Sequence, residues 1–223
     1  MDMIEFDGVK SSILGFSAQQ RPEVVSAFNK LFCRQSFARI IELGSGAGGL
    51  TVFLGLYGYT SDCEVYTFDS KNWMPLPTYK LLTFLGVRVY IQPRFHRSRF
   101  YRSRSARIPI ESGDPRKAGD VPRDVLRDPV TTAYVAGLIG GAGRTLLLCD
   151  NGNKNREFNL YAPYLKHGDI IMAHDYVASG KEDRWKASEV NIDLIRDTIA
   201  EYNLQDYMRY VFEDVAWLCQ KRG

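Results

Sequence analysis

The amino-acid sequence predicts an α/β fold in which a doubly wound, mostly parallel seven-stranded sheet carries helices on both faces. Three observations lead to this prediction. Short apolar β-rich runs alternate with helical segments over most of the 223 residues. A glycine-rich turn follows the first of these runs. Several runs end in an acidic residue, at the position where open parallel sheets bind their ligands.

The predicted elements follow one another in a regular order. Residues 21–35 have helical apolar spacing, residues 38–43 form a β-rich strand typical of a buried parallel sheet, and residues 48–58 are the next helix. The later predicted strands are residues 63–69, 87–92, 144–150 and 169–175, and the helices between and after them are residues 76–86, 131–141, 155–168 and 188–204. Residues 206–222 contain two β-rich runs separated by Glu213 and Asp214, which predicts a terminal hairpin.

Length and composition indicate an ordinary globular protein. A chain of 223 residues is long enough for one well-buried core, so we expect a single domain covering residues 1–223. No apolar run approaches the roughly 18 residues of a membrane span, and the polar start is unlike a secretory signal. Four widely spaced cysteines without a C-x-x-C pair predict reduced thiols and a cytoplasmic location. A homo-oligomer is compatible with this composition.

The positive charge of the chain is concentrated in one segment. Six arginines and no acidic residue lie between Arg94 and Arg107, within a longer stretch, residues 93–129, that has no periodicity. Such a stretch predicts an Arg-rich lid or recognition insertion. Aromatic residues are interleaved with the arginines, a composition that also occurs where proteins bind nucleic acid. The same composition suits a small acidic or phosphorylated substrate, or a solvated loop without a partner, and nucleic acid is the less favoured alternative.

The turn after the first strand, within the stretch IIELGSGAGGL, satisfies two cofactor patterns. The dinucleotide pattern G-x-G-x-x-G is matched by Gly44, Gly46 and Gly49, with Asp69 further along the chain. The pattern E-x-G-x-G-x-G of S-adenosylmethionine (SAM) enzymes is matched by Glu42, Gly44, Gly46 and Gly48. The turn alone therefore leaves a nicotinamide cofactor and SAM both open.

The second half of the chain favours SAM. Residues 144–176, RTLLLCDNGNKNREFNLYAPYLKHGDIIMAHDY, resemble the corresponding part of class I SAM-dependent methyltransferases. In both, a strand ending in aspartate precedes a helix, a turn of the Leu-Lys-Pro-Gly-Gly kind and a strand ending in an acid. Here His167 and Asp169 replace the usual proline and glycine of that turn. The resemblance covers roughly residues 38–91 and 131–221, and it implies a last strand inserted antiparallel into the sheet.

Within this family the second half looks like the metal-dependent O-methyltransferases, of the catechol type and of the macrocin and cephalosporin-pathway type. That resemblance implies a divalent cation, Mg²⁺ or similar, bound by Asp150, His174 and Asp175. His174 stands where the family usually has a carboxylate, and its nitrogen favours a transition metal. Lys154 lies one position beyond Asn153, which occupies the place of the base in some relatives. The catalytic candidates are therefore Asp150, His174 and Lys154.

The resemblance also implies a set of cofactor-binding residues. Glu42 would organise the amino-acid end of SAM, and Asp69 would accept hydrogen bonds from the two ribose hydroxyls. The full set of predicted cofactor-binding residues is Glu42, Gly44, Ser45, Gly46, Gly48, Asp69 and Ser70. The implied reaction is methyl transfer to a hydroxyl of a small polar acceptor such as a sugar or a polyphenol.

Several alternatives stay open at the level of the sequence. The protein could be a nucleic-acid methyltransferase, a SAM-binding protein without catalytic activity, or a nicotinamide oxidoreductase. The acids after the later strands could cap helices or form hydrogen bonds near SAM without binding a metal. His174 could be a metal ligand, a general base or a hydrogen-bonded histidine at the edge of the sheet. Lys154, at the start of a helix, could simply be solvated.

Overall fold

The computed structural model describes residues 4–7, 10–21, 23–71, 73–91, 126–178 and 189–223. Its strands form two sheets. The small antiparallel sheet, which the sequence did not predict, consists of β1 (Ile4–Asp7), β2 (Lys10–Ile13) and β3 (Phe16–Ala18). The large sheet consists of β4 (Arg39–Leu43), β5 (Glu64–Asp69), β6 (Arg88–Ile91), β7 (Thr145–Cys149), β8 (Ile170–His174), β9 (Leu204–Asp206) and β10 (Trp217–Arg222).

The large sheet confirms the predicted doubly wound, mostly parallel arrangement of seven strands. Its order is β6-β5-β4-β7-β8-β10-β9. Strands β4 to β8 pair in parallel, and β10 is antiparallel to both of its neighbours, as the resemblance implied. The chain winds outward from β4 in one direction and from β7 in the other. A crevice therefore forms beyond the carboxyl ends of β4 and β7, where such sheets bind ligands.

Helices cover both faces of this sheet. They are α1 (Val24–Phe32), α2 (Gly49–Ser61), α3 (Leu76–Phe84), α4 (Pro129–Gly140), α5 (Lys154–Tyr161), α6 (Ile192–Glu201) and the short α7 (Arg209–Phe212). Neighbouring residues of one strand point to opposite faces, so Ile40 packs with the side chains of α1, α2 and α3, while Ile41 packs with those of α4, α5 and α6. Every residue of β7 is buried, which explains its largely apolar sequence.

The predicted terminal hairpin is wrong in its first arm. Residues 209–212 form α7 instead of a strand, and the strand that pairs with β10 on its outer side is β9. Phe212 is fully buried in α7 and packs edge-on against Phe28, with ring centroids 5.5 Å apart. Arg209 and Glu213, one helical turn apart, form an ion pair of 2.5 Å. These contacts outweigh the intrinsic β preference of this aromatic-rich run.

Two helix boundaries also differ from the prediction. The helix predicted over residues 155–168 ends at Tyr161 and continues as a short 3₁₀ turn, Ala162–Tyr164, which contains Pro163. A proline in that position lacks the amide hydrogen that an α-helix needs. The helix predicted from residue 188 begins at Ile192, because the Asn191 side chain accepts a hydrogen bond from the Asp193 amide and caps it.

Most of the predicted Arg-rich insertion, residues 93–125, lies outside the described residues. Its last residues are described, and there Asp128 caps α4 by accepting hydrogen bonds from the amides of Val130 and Thr131. The four cysteines are free thiols. Within the described ranges, no helix combines the length and the apolar character that crossing a bilayer requires.

Candidate active site

The residues predicted to form the site come together around one cavity. Its volume is about 630 Å³, which lies within the usual range of small-molecule sites. It opens beyond the carboxyl ends of β4, β5, β7 and β8. The predicted residues that line it are Glu42, Gly44, Ser45, Gly46, Gly48, Asp69, Ser70, Asp150, Lys154, His174 and Asp175.

The glycine turn joins three strands just beyond their ends. Gly44 has a φ of +98°, and its amide donates a 2.7 Å hydrogen bond to the Phe68 carbonyl at the end of β5. On its other side, the Asp150 amide donates to the Leu43 carbonyl at 2.8 Å. A Cβ atom at Gly44 would lie 2.2 Å from the Asp150 carbonyl oxygen. Only glycine allows the two turns to pack this closely.

The start of α2 offers unused hydrogen-bonding groups to the cavity. Its N-cap residue, Gly48, has a φ of +90° and supplies no side-chain cap, and the first helical turn contains no acid. The first amides of a helix in this state favour a negatively charged ligand group. Within the described part of the chain, the buried Ser45 hydroxyl has no hydrogen-bond partner. Both features fit a polar ligand bound against the turn.

Glu42 is buried beneath the glycine turn. Its Oε2 atom accepts hydrogen bonds from the hydroxyls of Thr51, at 2.7 Å, and Thr67, at 2.6 Å. Burial raises the pKa of Glu42 to about 7, although these two hydrogen bonds oppose the shift. The nearby carboxylates of Asp150 and Asp69 raise the pKa further. The Glu42 carboxyl is therefore easily protonated near neutral pH, and a nearby cation would favour its ionised form.

Asp69 fastens the glycine turn to the end of β5. Its Oδ2 atom accepts a 2.9 Å hydrogen bond from the Gly46 amide, and its Oδ1 atom accepts one of 2.8 Å from the Lys71 amide. Burial raises the pKa of Asp69, and the backbone hydrogen bonds work against this rise. Each carboxylate oxygen keeps a second lone pair that can accept a hydrogen bond from a ligand. The residue thus has a structural function in addition to the predicted binding one.

Asp150, His174 and Asp175 lie together on the other side of the cavity. One possible metal-ligand atom from each residue lies within 4.8 Å of the other two. His174 Nδ1 is 2.9 Å from Asp150 Oδ1 and 3.4 Å from Asp175 Oδ1. Burial alone would lower the pKa of His174, but the two carboxylates outweigh it, so the pKa is raised. Asp175 has a φ of +61°, a conformation that non-glycine residues adopt rarely outside constrained sites.

The spacing of these atoms fits a divalent ion. An octahedral ion with bonds of about 2.1 Å places neighbouring ligand atoms about 3 Å apart, close to the observed distance between Asp150 Oδ1 and His174 Nδ1. The same 2.9 Å distance is also that of a hydrogen bond between these two side chains. Two carboxylates with one imidazole nitrogen suit Mn²⁺ or another transition metal better than an all-oxygen site would. Asp150, His174 and Asp175 are therefore the residues in the described ranges that can hold a metal.

Lys154 does not have the properties of the predicted base. Its side chain is only 7% exposed, which rules out the solvated alternative. The ammonium lies 2.8 Å from Asp175 Oδ2 and 2.6 Å from Glu189 Oε2. Burial tends to lower the pKa of Lys154, but Asp150, Asp175 and Glu189 outweigh it and raise the pKa. A base must give up its proton, so these contacts favour Lys154 as a cation that holds Asp175 over the predicted base.

The structure adds residues that sequence reasoning missed. Gln20 donates from Nε2 to Asp150 Oδ2 at 3.0 Å, and it accepts from Trp217 Nε1 at 3.0 Å. Glu157 accepts hydrogen bonds from the amides of Asn151 and Asn153, both at 3.3 Å, and burial raises its pKa to about 7. Gln20 and Trp217 belong to no motif. Glu157 could have been identified from the sequence, because it lies in the first turn of α5, where acidic residues are common.

Comparisons with known proteins show which solved structures have a similar fold. No protein-family profile matches the sequence, and no curated protein matches it. Among solved structures, the apo form of CmcI is similar with a TM-score of 0.56 and 12% identity, over 95% of this chain and 75% of CmcI. A CmcI structure described as Mg-SAM has a TM-score of 0.54 and 11% identity, over 93% of this chain and 75% of that chain.

A third similar structure is a candidate caffeoyl-CoA O-methyltransferase from Staphylococcus aureus. Its TM-score is 0.50 at 12% identity, over 89% of this chain and 82% of that protein. The fold and the cavity define an open α/β protein with a cavity at the point where the strand order reverses. More particularly, the chain has the Rossmann-like methyltransferase fold that these structures share, as the resemblance in sequence implied.

Proposed function

We propose that this protein is a SAM-dependent methyltransferase that acts on a hydroxyl of a small polar acceptor, such as a sugar or a polyphenol. One observation carries the proposal: a single cavity joins the glycine turn, Glu42 and Asp69 to the cluster of Asp150, His174 and Asp175. The similarity of the fold to CmcI and to the Staphylococcus aureus protein supports the same conclusion.

The glycine-turn side of the cavity suits SAM. The uncapped amides at the start of α2 and the free Ser45 hydroxyl would bind the carboxylate end of the cofactor. Asp69 would accept hydrogen bonds from the ribose through its remaining lone pairs. The acids around the cavity favour a cofactor that carries an ammonium and a sulfonium.

The other side of the cavity would hold the divalent ion and the acceptor. Asp150, His174 and Asp175 supply its ligand atoms, and Lys154 keeps Asp175 in place. A bound divalent ion contributes positive charge that favours ionisation of an acceptor hydroxyl. The remaining requirement is alignment of that oxygen with the methyl group at about 3–3.5 Å, which the protein provides by positioning both molecules.

We extend the proposal to the whole chain. Residues 1–223 would form one cytoplasmic catalytic domain, with residues 93–129 as an Arg-rich lid or recognition arm. An acidic acceptor would complement the arginines of that arm. The same arginines motivate the alternative of a nucleic-acid methyltransferase. A steep loss of RNA or DNA affinity between low and moderate salt would support that alternative, and the absence of any binding would remove it.

Calorimetric titration tests the proposal directly. We expect SAM and S-adenosylhomocysteine to bind and NAD to give no signal, whereas the reverse result would indicate a nicotinamide enzyme. Release of S-adenosylhomocysteine with a panel of sugars and polyphenols would exclude a non-catalytic SAM-binding protein. Asp150→Ala should abolish Mn²⁺ binding and turnover while SAM binding persists. Undiminished turnover by Asp150→Ala would contradict the metal-assisted mechanism.

A further inference from the structure

Gln20 belongs to a closed ring of four contacting side chains. Its amide bridges Trp217 and Asp150 through two 3.0 Å hydrogen bonds. Asp150 in turn contacts His174 at 2.9 Å, and the His174 ring packs on the Trp217 ring with centroids 4.8 Å apart. Gln20, His174 and Trp217 are each no more than 7% exposed. The ring therefore connects the segment after β3 to the ends of β7 and β8 and to the start of β10.

The chemistry of the partners fixes the direction of each hydrogen bond. An indole N–H only donates, so Gln20 must turn its carbonyl oxygen toward Trp217. The Gln20 amide nitrogen then faces Asp150, whose ionised carboxylate only accepts. A flipped amide would place donor against donor and oxygen against oxygen. Trp217 thereby determines which atom Gln20 presents to Asp150.

We propose that Gln20 is a positioning residue: it hydrogen-bonds to Asp150 Oδ2 and so orients Oδ1 toward His174 Nδ1, where these two atoms would together bind a divalent ion. This inference rests on the metal site of the proposed function. The second carboxylate of the site supports it, because Asp175 is arranged in the same way: its Oδ2 contacts Lys154 at 2.8 Å, and its Oδ1 lies toward His174. Each acid thus has one oxygen held by the protein and one oxygen facing the His174 ring.

The pair Gln20 and Lys154 also sets the charge of the site. Lys154 holds its carboxylate with a positive charge, and Gln20 holds Asp150 without adding one. A second lysine in place of Gln20 would cancel more of the negative charge that a divalent ion needs. Mutation of residues that hydrogen-bond to metal ligands commonly lowers metal affinity by about 10- to 100-fold. Loss of the Gln20 hydrogen bonds should therefore lower the Mn²⁺ affinity measurably.

The test compares three single variants, and the double variant Gln20→Met/Trp217→Phe, with the wild-type chain. Gln20→Met keeps a side chain of similar length and removes both hydrogen bonds. Trp217→Phe keeps an aromatic ring next to His174 and removes the indole donor. Gln35→Met is the matched control, because Gln35 also donates a hydrogen bond, to the Tyr207 hydroxyl at 2.8 Å, at a site away from the cavity. The measurements are Mn²⁺ affinity by calorimetry, the melting temperature, and the NMR signal of the Trp217 indole N–H.

We expect Gln20→Met to weaken Mn²⁺ binding by about tenfold or more, with SAM affinity and melting temperature close to those of Gln35→Met. The Trp217 indole signal should shift and exchange faster with solvent in Gln20→Met. Because Trp217 acts through Gln20, the double variant Gln20→Met/Trp217→Phe should bind Mn²⁺ no more weakly than Gln20→Met alone.

Three outcomes would overturn the inference, and they are distinguishable. If the wild type binds Mn²⁺ and Gln20→Met binds it equally well, Gln20 does not position Asp150, and the proposed function is unaffected. If the wild type binds SAM but no Mn²⁺, the metal site itself is wrong, and the inference fails with it. A fall in Mn²⁺ affinity of the same size in Gln35→Met would assign the effect to general destabilisation and would also overturn the inference.

Discussion

The two sides of the cavity are built in different ways. The glycine-turn side consists largely of backbone: three positive φ angles, amide donors and a close contact between two turns. The opposite side consists of charged and polar side chains, brought from segments as far apart as Gln20, Asp150 and Trp217. A shape made of backbone tolerates no added atom, whereas a network of side chains tolerates exchanges that preserve charge and hydrogen bonding. The two sides should therefore respond differently to mutation.

The largest effect is expected on the backbone side. Gly44→Ala would place a methyl group 2.2 Å from the Asp150 carbonyl oxygen, in a conformation that alanine adopts poorly. Because two backbone segments collide, no flexible side chain can relieve the overlap. We expect a loss of about 4 kcal/mol or more in the free energy of unfolding, measured by urea denaturation, together with loss of SAM binding.

Gly137→Ala is the matched control for this substitution. Gly137 lies exposed within α4, and a Cβ atom there would have no neighbour within 4 Å. The control should be unchanged or more stable by about 0.5–1 kcal/mol, since alanine favours the helix. A Gly44→Ala protein that unfolds at the wild-type urea concentration would mean that the two turns are not packed as described.

A smaller effect is expected on the charged side. Lys154→Met would leave Asp175 and Asp150 without their buried cation, at a cost of about 3 kcal/mol in the free energy of unfolding. Lys154→Arg keeps the positive charge, so its loss of stability should be clearly smaller. Urea denaturation of both variants at pH 7 provides this measurement.

The same pair of variants separates a holding function from a catalytic base. A lysine whose pKa is raised stays protonated at neutral pH, so its replacement by arginine should leave turnover within about tenfold of wild type. The pH profile of turnover should also keep its shape. A Lys154→Arg protein that binds SAM and Mn²⁺ normally but has no turnover would restore the base assignment.

The difference between the two sides also explains what could be predicted from the sequence. The glycine turn and Asp69 are predictable because their geometry depends on residue type at short, fixed spacing. Asp150, His174 and Asp175 are predictable because parallel strands bring their carboxyl ends to one edge. Gln20 carries no such signal, because its partners are 130 and 197 residues away and depend on packing of β3 and β10.

The features that the sequence did not reveal have the same origin. Lys154 sits at a helix start, where a lysine is usually solvated, and only the folded arrangement brings Glu189 and Asp175 to its ammonium. Residues 209–212 have a composition that favours a strand, but they form α7, because this conformation buries Phe212 in the core. Local preference and motif spacing describe residues that are close in the sequence. The contacts of Lys154 and the conformation of residues 209–212 depend instead on residues that are close only in the folded structure.

The smallest expected effect concerns Glu42 and appears as a dependence of stability on pH. Its pKa is raised from 4.5 to about 7, so the unfolded chain loses this proton at lower pH than the folded one. Below pH 4.5 Glu42 is protonated in both the folded and the unfolded chain, and its contribution to the free energy of unfolding is fully present. As the pH rises through 7 the folded protein must ionise a buried carboxyl, and that stability is lost. Between pH 5 and pH 8 the loss should be about 2 kcal/mol.

Glu42→Gln removes this titration and can keep an oxygen facing the hydroxyls of Thr51 and Thr67. Relative to wild type, its free energy of unfolding should therefore rise by about 2 kcal/mol from pH 5 to pH 8. Glu201→Gln, on the exposed side of α6, controls for the change in formal charge and should follow the wild type. Saturating SAM should reduce the difference, because the cationic cofactor favours ionised Glu42. Parallel curves for Glu42→Gln and wild type would show that Glu42 is ionised throughout this range, and the carboxyl would then be more hydrated than its burial beneath the glycine turn implies.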